Sequence, residues 1–169
     1  MDSKFLFSMV ETIGWLAILW IITILYSFLA FILQLLLLKG CSTDIIISLQ
    51  HITQSIMFIF SMLTVWRTNW VYSHYLVVGL VLCIIFFKMH SYTVSNIEYH
   101  RIYMENMKKG IKGDKNDYPN NITLRNFITY LAMPTFIYKN SYPRSTTGFR
   151  PTYFITKFII CIFLIVSVK

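Results

Sequence analysis

Charge, glycine and cysteine are all scarce in this sequence, and each shortage closes off a class of protein. Only 13% of residues are charged against 56% hydrophobic, too little polar surface to clothe a soluble domain, so a soluble enzyme is excluded. The 3 cysteines suggest neither a disulfide framework nor a metal-ligand spacing: Cys83 and Cys161 fall within apolar stretches and Cys41 at the end of one. The 6 glycines form no patterned cluster, which removes a phosphate-binding loop. The sequence shows no Ser/His/Asp arrangement and no internal repeat. Acids are scarce too, 7 against 15 basic residues, for a formal net charge of +8.

What the chain has in abundance is uncharged length. No residue between Glu11 and Lys39 is charged; as a helix this stretch runs to roughly 40 Å, against a hydrocarbon core of about 30 Å. It is too long for a signal-peptide core, and Leu35 to Leu38 run into Lys39 without a small-residue cleavage site, so no cleaved leader is predicted. Further uncharged stretches lie between Asp44 and Arg67 and between Arg67 and Lys88, each near the length a span requires. Trp66, Arg67 and Trp70 supply aromatic and cationic anchors for a membrane boundary between them, joined by a short turn. A fourth apolar stretch, 152–168, is near the lower length limit, and Lys157 within it must snorkel. The predicted fold is therefore all-α and multi-span, with three to four transmembrane helices plus a short interfacial helix. Its parts are residues 1–88 with three spans, a basic loop over 89–151, and a fourth, shorter helix over 152–169.

Most of the excess positive charge lies between Lys88 and Arg150, which assigns that loop to the cytosol and Met1 to the lumenal side, an arrangement that hints at a preceding helix. Nucleic acid is not an expected partner, because no recognition motif accompanies the charge; membrane lipid is. Met89, Tyr92, Asn96, Tyr99, Tyr103 and Met107 recur at helical spacing, so the third helix is predicted to continue past the membrane until Gly110. A polar surface loop follows. A short amphipathic helix then carries Leu124, Phe127, Ile128 and Leu131 on one face behind a Thr123 cap, and Pro134 ends it. It is too short to span and is expected at the interface or packed on the bundle. Asn121-Ile122-Thr123 is a glycosylation sequon, but in a cytosolic loop it is predicted to carry no sugar.

Three segments carry more information than composition. Pro134-Thr135-Phe136-Ile137-Tyr138-Lys139-Asn140-Ser141-Tyr142-Pro143-Arg144 places aromatic and basic side chains between two prolines that stiffen the backbone. It resembles the P-T-L-x-Y-x-x-x-Y-P-R segment of the membrane-bound O-acyltransferase family, in the branch of sterol and diacylglycerol O-acyltransferases. Phe87-Lys88-Met89-His90-Ser91-Tyr92 resembles that branch's K-x-H-S-F/Y signature, and Tyr118-Pro119-Asn120-Asn121-Ile122-Thr123 its Y-P-x-N-x-T sequence. The three occur in family order over roughly 87–157.

The resemblance implies transfer of a fatty acyl group from acyl-CoA to a lipid hydroxyl, sterol or diacylglycerol, in the endoplasmic reticulum membrane. It implies no bound cofactor, acyl-CoA as co-substrate, and possible homo-oligomers. A base must remove the acceptor's proton, a task suited to histidine. The family's catalytic histidine and its F-Y-x-D-W-W-N element are absent from these 169 residues, so the expectation is a partial acyltransferase bundle, inactive alone, with a non-catalytic lipid-binding or partner protein as the alternative. No catalytic residue and no metal ligand is assigned. His51 lies mid-span with Gln50 and Gln54, groups expected to seek partners elsewhere; His74 falls at a boundary. Candidate contacts to substrate or acyl-CoA are Lys88, His90, Ser91, Tyr92, Pro134, Tyr138, Tyr142, Pro143 and Arg144. All but the two prolines have an alternative role: snorkelling for Lys88, positioning the helix–loop joint for His90, Ser91 and Tyr92, packing for Tyr138 and Tyr142. Arg144 pairs with either a coenzyme A phosphate or lipid headgroups.

Overall fold

The computed structural model describes residues 3–68, 72–111, 117–142 and 151–167. Within them the chain is all-helical: α1 (Ser3–Leu38), α2 (Thr43–Arg67), α3 (Tyr72–Lys108), α4 (Leu124–Ala132) and α5 (Pro151–Ser167). Three helices are long and apolar enough to cross a membrane, over Ile13–Leu38, Thr43–Arg67 and His74–Lys108, the stretches expected from the sequence. The 17 residues of α5 rise about 25 Å, and its described side chains are exposed.

Helix ends are set by local chemistry. α1 stops where Gly40 takes φ 96°, letting Cys41 N–H reach the Leu36 carbonyl (3.2 Å) and Gly40 N–H the Leu37 carbonyl (3.0 Å). This is a Schellman closure, which needs a left-handed residue that glycine supplies without a Cβ clash. α3 ends the same way at Gly110, φ 68°, with Ile111 N–H on Asn106 and Gly110 N–H on Met107. Ser42 and Thr123 cap α2 and α4 through their hydroxyls.

α1, α2 and α3 pack as a bundle along stripes that recur every three or four residues. The α2 stripe is Ile46, Gln50, Gln54, Met57 and Ser61, so glutamine faces the interior. Both amides find partners there: Thr93 Oγ1 donates to Gln50 Oε1 (3.0 Å) and Gln54 Nε2 donates to the Phe86 carbonyl (3.0 Å). The expectation that Gln50 and Gln54 seek their partners elsewhere is thereby corrected for one atom of each amide, while Gln50 Nε2 and Gln54 Oε1 are buried without a partner. His51, one position along, does stay exposed. On α1 the small residues Ser27 and Ala30 are fully buried, allowing close helix approach.

The orientation of α4 is also corrected. Phe127 and Tyr130 turn inward, both with no exposed surface, while Leu124 and Ile128 are about half exposed. Phe127 meets the rings of Phe28 and Phe31 on α1 at 5.3 and 5.7 Å, so α4 packs on the bundle itself. The predicted α3 face is buried at Met89, Tyr92 and Asn96 and opens by Met107.

Candidate functional site

Lys88 belongs to the inner stripe of α3 and does not snorkel: it is 5% exposed. Its Nζ donates to the carbonyls of Tyr130 (2.9 Å), Leu131 (3.1 Å) and Met133 (2.6 Å). These are the terminal carbonyls of α4, which no further helical turn can satisfy, and three acceptors match the three N–H donors of an ammonium group. The negative end of the helix dipole adds to the attraction, and the ammonium lies 4.8 Å from the centre of the Tyr130 ring. Tyr130 closes the joint from the other side, its hydroxyl donating to the Phe136 carbonyl (2.7 Å) with the Lys88 carbonyl also within reach at 3.2 Å.

Ser91 and Tyr138 form the second joint, with Tyr138 N–H donating to Ser91 Oγ at 3.0 Å. The Tyr138 ring then enters an aromatic cluster with Tyr92 (4.8 Å, 76°) and Tyr130 (5.2 Å, 79°), and Tyr92 meets Phe127 at 4.8 Å and 63°. These edge-to-face contacts lock rings that are all essentially buried. The Tyr138 hydroxyl accepts from Asn126 Nδ2 (3.0 Å) and Asn121 Nδ2 (3.2 Å).

Asn121 ties in the third segment. Its Nδ2 also reaches Asn96 Oδ1 (2.7 Å) and Asn140 Oδ1 (3.1 Å), and Asn126 Nδ2 donates to the Asn121 carbonyl (2.9 Å). Asn121 is 4% exposed, so the sequon amide is spent inside the protein whichever side of the membrane it faces. Nearby, His100 Nδ1 contacts Tyr118 Oη at 3.1 Å. Burial, with a smaller effect from Tyr103, pushes the Tyr118 hydroxyl up to about 12, so it stays protonated at neutral pH.

The structure therefore brings Lys88, Ser91, Tyr92 and Tyr138 together as an interlocking joint rather than an open reaction centre. His90 stands apart on the outer side of α3, half-buried, its ring 6.0 Å from that of His51. Pro134, exposed, and Tyr142, half-buried, border a groove of about 720 Å³ shared with Phe136, Ile137 and Lys139. Tyr142 Oη accepts from Lys139 N–H at 3.2 Å. Pro143 and Arg144 lie outside the described residues. Among the described residues no group of three or more His, Cys, Asp or Glu side chains gathers. Sequence reasoning did not single out Tyr130 or Asn126; the i,i+3 spacing of Tyr130 from Phe127 is the signal that places it on the buried face.

No protein-family model matches the chain. It is 27% identical over 127 residues to diacylglycerol O-acyltransferase 1A of Glycine max, an alignment covering 72% of this chain and 25% of that protein. It is 32% identical over 71 residues to diacylglycerol O-acyltransferase 1 of Dictyostelium discoideum, covering 41% of this chain and 12% of that protein. The chain thus spans a quarter or less of the length of these curated relatives. The likeness supports an acyltransferase-like origin for this membrane protein.

Proposed function

We propose that these 169 residues form one part of an acyl-CoA-dependent O-acyltransferase that esterifies a lipid hydroxyl in the endoplasmic reticulum membrane. The observation that carries the reading is the convergence of the three family-like segments. Phe87 to Tyr92, Tyr118 to Thr123 and Pro134 to Tyr142 are far apart in sequence, yet are bound to one another through Ser91, Asn121 and Tyr138. Segments retained for a shared structural task would meet in this way. Of the two acceptors the sequence leaves open, diacylglycerol gains support from the activity that both relatives are named for.

The part played by this region in that reading is structural. Its most buried motif residues, Lys88, Tyr92 and Tyr138, hold α4 and the segment after it against the bundle, and Pro134 and Tyr142 wall the groove beside it. The base that would activate the acceptor hydroxyl is supplied from outside these residues, so the 169-residue chain alone is inactive. Two experiments test the proposal. Sequencing the transcript past the Lys169 codon is expected to reveal F-Y-x-D-W-W-N and an intramembrane histidine; a continuation lacking both overturns the family reading. Expressing the 169-residue chain alone and following labelled oleoyl transfer to diacylglycerol and to sterol is expected to give no ester. Product above background overturns the claim of inactivity.

A further inference from the structure

Past the joint, α3 continues along a hollow of about 560 Å³ that Asp117 and Tyr118 border from the following loop. Two contacts fix which end of the bundle it occupies. Thr93 bonds Gln50, and one turn on, Ile97 packs on the cluster that holds Ile46. α2 and α3 are therefore antiparallel, and Tyr99 and His100 stand level with the start of α2 at Thr43. Lys39 and Asp44, on either side of the α1–α2 turn, put charge at the same level. From there α3 carries the exposed ion pairs Glu98–Arg101 (2.6 Å) and Arg101–Glu105 (3.7 Å), charges that hydrocarbon disfavours. The hollow opens at the polar end of the bundle, where headgroups and water meet the protein.

Its walls are aromatic. Tyr99 and Tyr103, four residues apart on one face of α3, line it together with Tyr118. The Tyr103 and Tyr118 rings lie 5.7 Å apart and are inclined at 57°, so they make a corner and not a stack. His100 holds Tyr118 in place, with its Nδ1 3.1 Å from the hydroxyl and its ring 5.3 Å from the tyrosine ring. The turn at Gly110 lets Ile111 border the hollow as Met107 does. Among the described residues of the lining, Asp117 alone is charged.

That combination selects a ligand. An anion would meet a carboxylate and the negative faces of tyrosine rings. A wholly apolar molecule would strand Asp117, Asn106 and Asn140, which all border the space. A primary ammonium needs acceptors for three N–H donors, whereas a quaternary ammonium needs none and is drawn to aromatic faces. Lys108 and Lys109 sit in the chain between Met107 and Gly110, both lining residues, and supply positive charge for a phosphate carried on the same ligand.

We propose that this hollow binds a phosphocholine group, its quaternary ammonium against Tyr99, Tyr103 and Tyr118 beside Asp117 and its phosphate turned toward Lys108 and Lys109. The site is independent of the acyltransferase reading. The test titrates the full 169-residue chain, in a maltoside detergent, with dihexanoyl phosphatidylcholine below its micelle concentration. The matching ethanolamine and glycerol lipids and free phosphocholine are titrated in parallel, with calorimetric heats corrected against empty micelles. Saturable binding of the choline lipid is expected, at least about fivefold tighter than the ethanolamine lipid and absent with the glycerol lipid. Tyr103→Leu is expected to weaken it about fivefold while Tyr103→Phe retains it, because the ring face and not the hydroxyl meets the cation. Asp117→Asn, at an exposed position, is expected to weaken it about threefold, and it carries the test if Tyr103→Leu loses cooperative unfolding. Binding of the choline lipid alone assigns the site to a membrane headgroup; free phosphocholine binding as tightly assigns it to the soluble compound. Equal binding of all three lipids, no saturable binding of either choline compound, or an affinity unchanged in both Tyr103→Leu and Asp117→Asn overturns the site.

Discussion

The Lys88 ammonium meets the Met133 carbonyl at 2.6 Å across a sequence separation of 45 residues. One side chain of a spanning helix thus caps the end of a separate short helix. Hydrogen bonds to a charged group are worth about 1.5–3 kcal/mol each when buried, and those sharing one donor do not add fully. Lys88→Met is expected to destabilise the chain by on the order of 3 kcal/mol, read from unfolding in detergent. Trypsin cleavage after Arg125 and Lys139 should accelerate, since both lie on the released segment. An unchanged unfolding midpoint would show that the cap contributes nothing.

Two buried tyrosines of the same cluster should respond in opposite ways. The Tyr138 hydroxyl accepts from two asparagines; Asn121 keeps Asn96 and Asn140 as acceptors, but Tyr138→Phe leaves the part-buried Asn126 amide one acceptor short, at a cost of about 1 kcal/mol. The Tyr92 hydroxyl is buried without a partner, so Tyr92→Phe is expected to be neutral or stabilising by up to about 1 kcal/mol. Phenylalanine is also the alternative in the family-like K-x-H-S-F/Y pattern. Equal losses in the two variants, measured by chemical unfolding, would refute this assignment of partners.

Alanine substitution should separate the glycines by backbone conformation. No atom lies within 4 Å of a Cβ built at Gly40, Gly79 or Gly110, so crowding is not the determinant. Gly40 and Gly110 have φ of 96° and 68°, where an L side chain costs about 1–2 kcal/mol. Gly79 lies inside α3, where alanine gains about 0.5–1 kcal/mol. Thermal unfolding of the three variants should show two losses and one gain.

Alkaline pH should loosen the Tyr118 contact. Its pKa is 10.0 when free and about 12 in the fold, a raised value, so the stability it contributes is complete below pH 10 and is lost as pH climbs through 12. A near-ultraviolet titration of the folded chain against Tyr118→Phe should remove one late-ionising tyrosine. If the difference titrates near 10, the hydroxyl is not buried as the structure has it.

The spans were legible in the sequence because uncharged length has few other uses, and so were Gly110 and Thr123, whose local chemistry ends or starts a helix wherever it occurs. The positions of the glutamines were not. Gln50 and Gln54 read as exposed because their partners, Thr93 and the Phe86 carbonyl, lie on another helix. Lys88 looked like a boundary lysine for a similar reason: its three acceptors are backbone carbonyls, which every residue carries and no motif reveals. The inward turn of Tyr130 instead of Leu124 goes with the contact of Phe127 to Phe28 and Phe31 and with the hydrogen bonds of the Tyr130 hydroxyl, tertiary contacts that the apolar pattern of α4 does not show.

The hydrogen bonds of the joint also constrain biogenesis. Its partners lie between Lys88 and Asn140, at separations of no more than 47 residues, and none of them involves α5. The lysine cap and the tyrosine–asparagine cluster can therefore close as soon as residue 140 is free to fold, without waiting for α5 to pack. Only the rings of Phe28 and Phe31 must already be waiting, and they belong to α1, which precedes the joint in the chain.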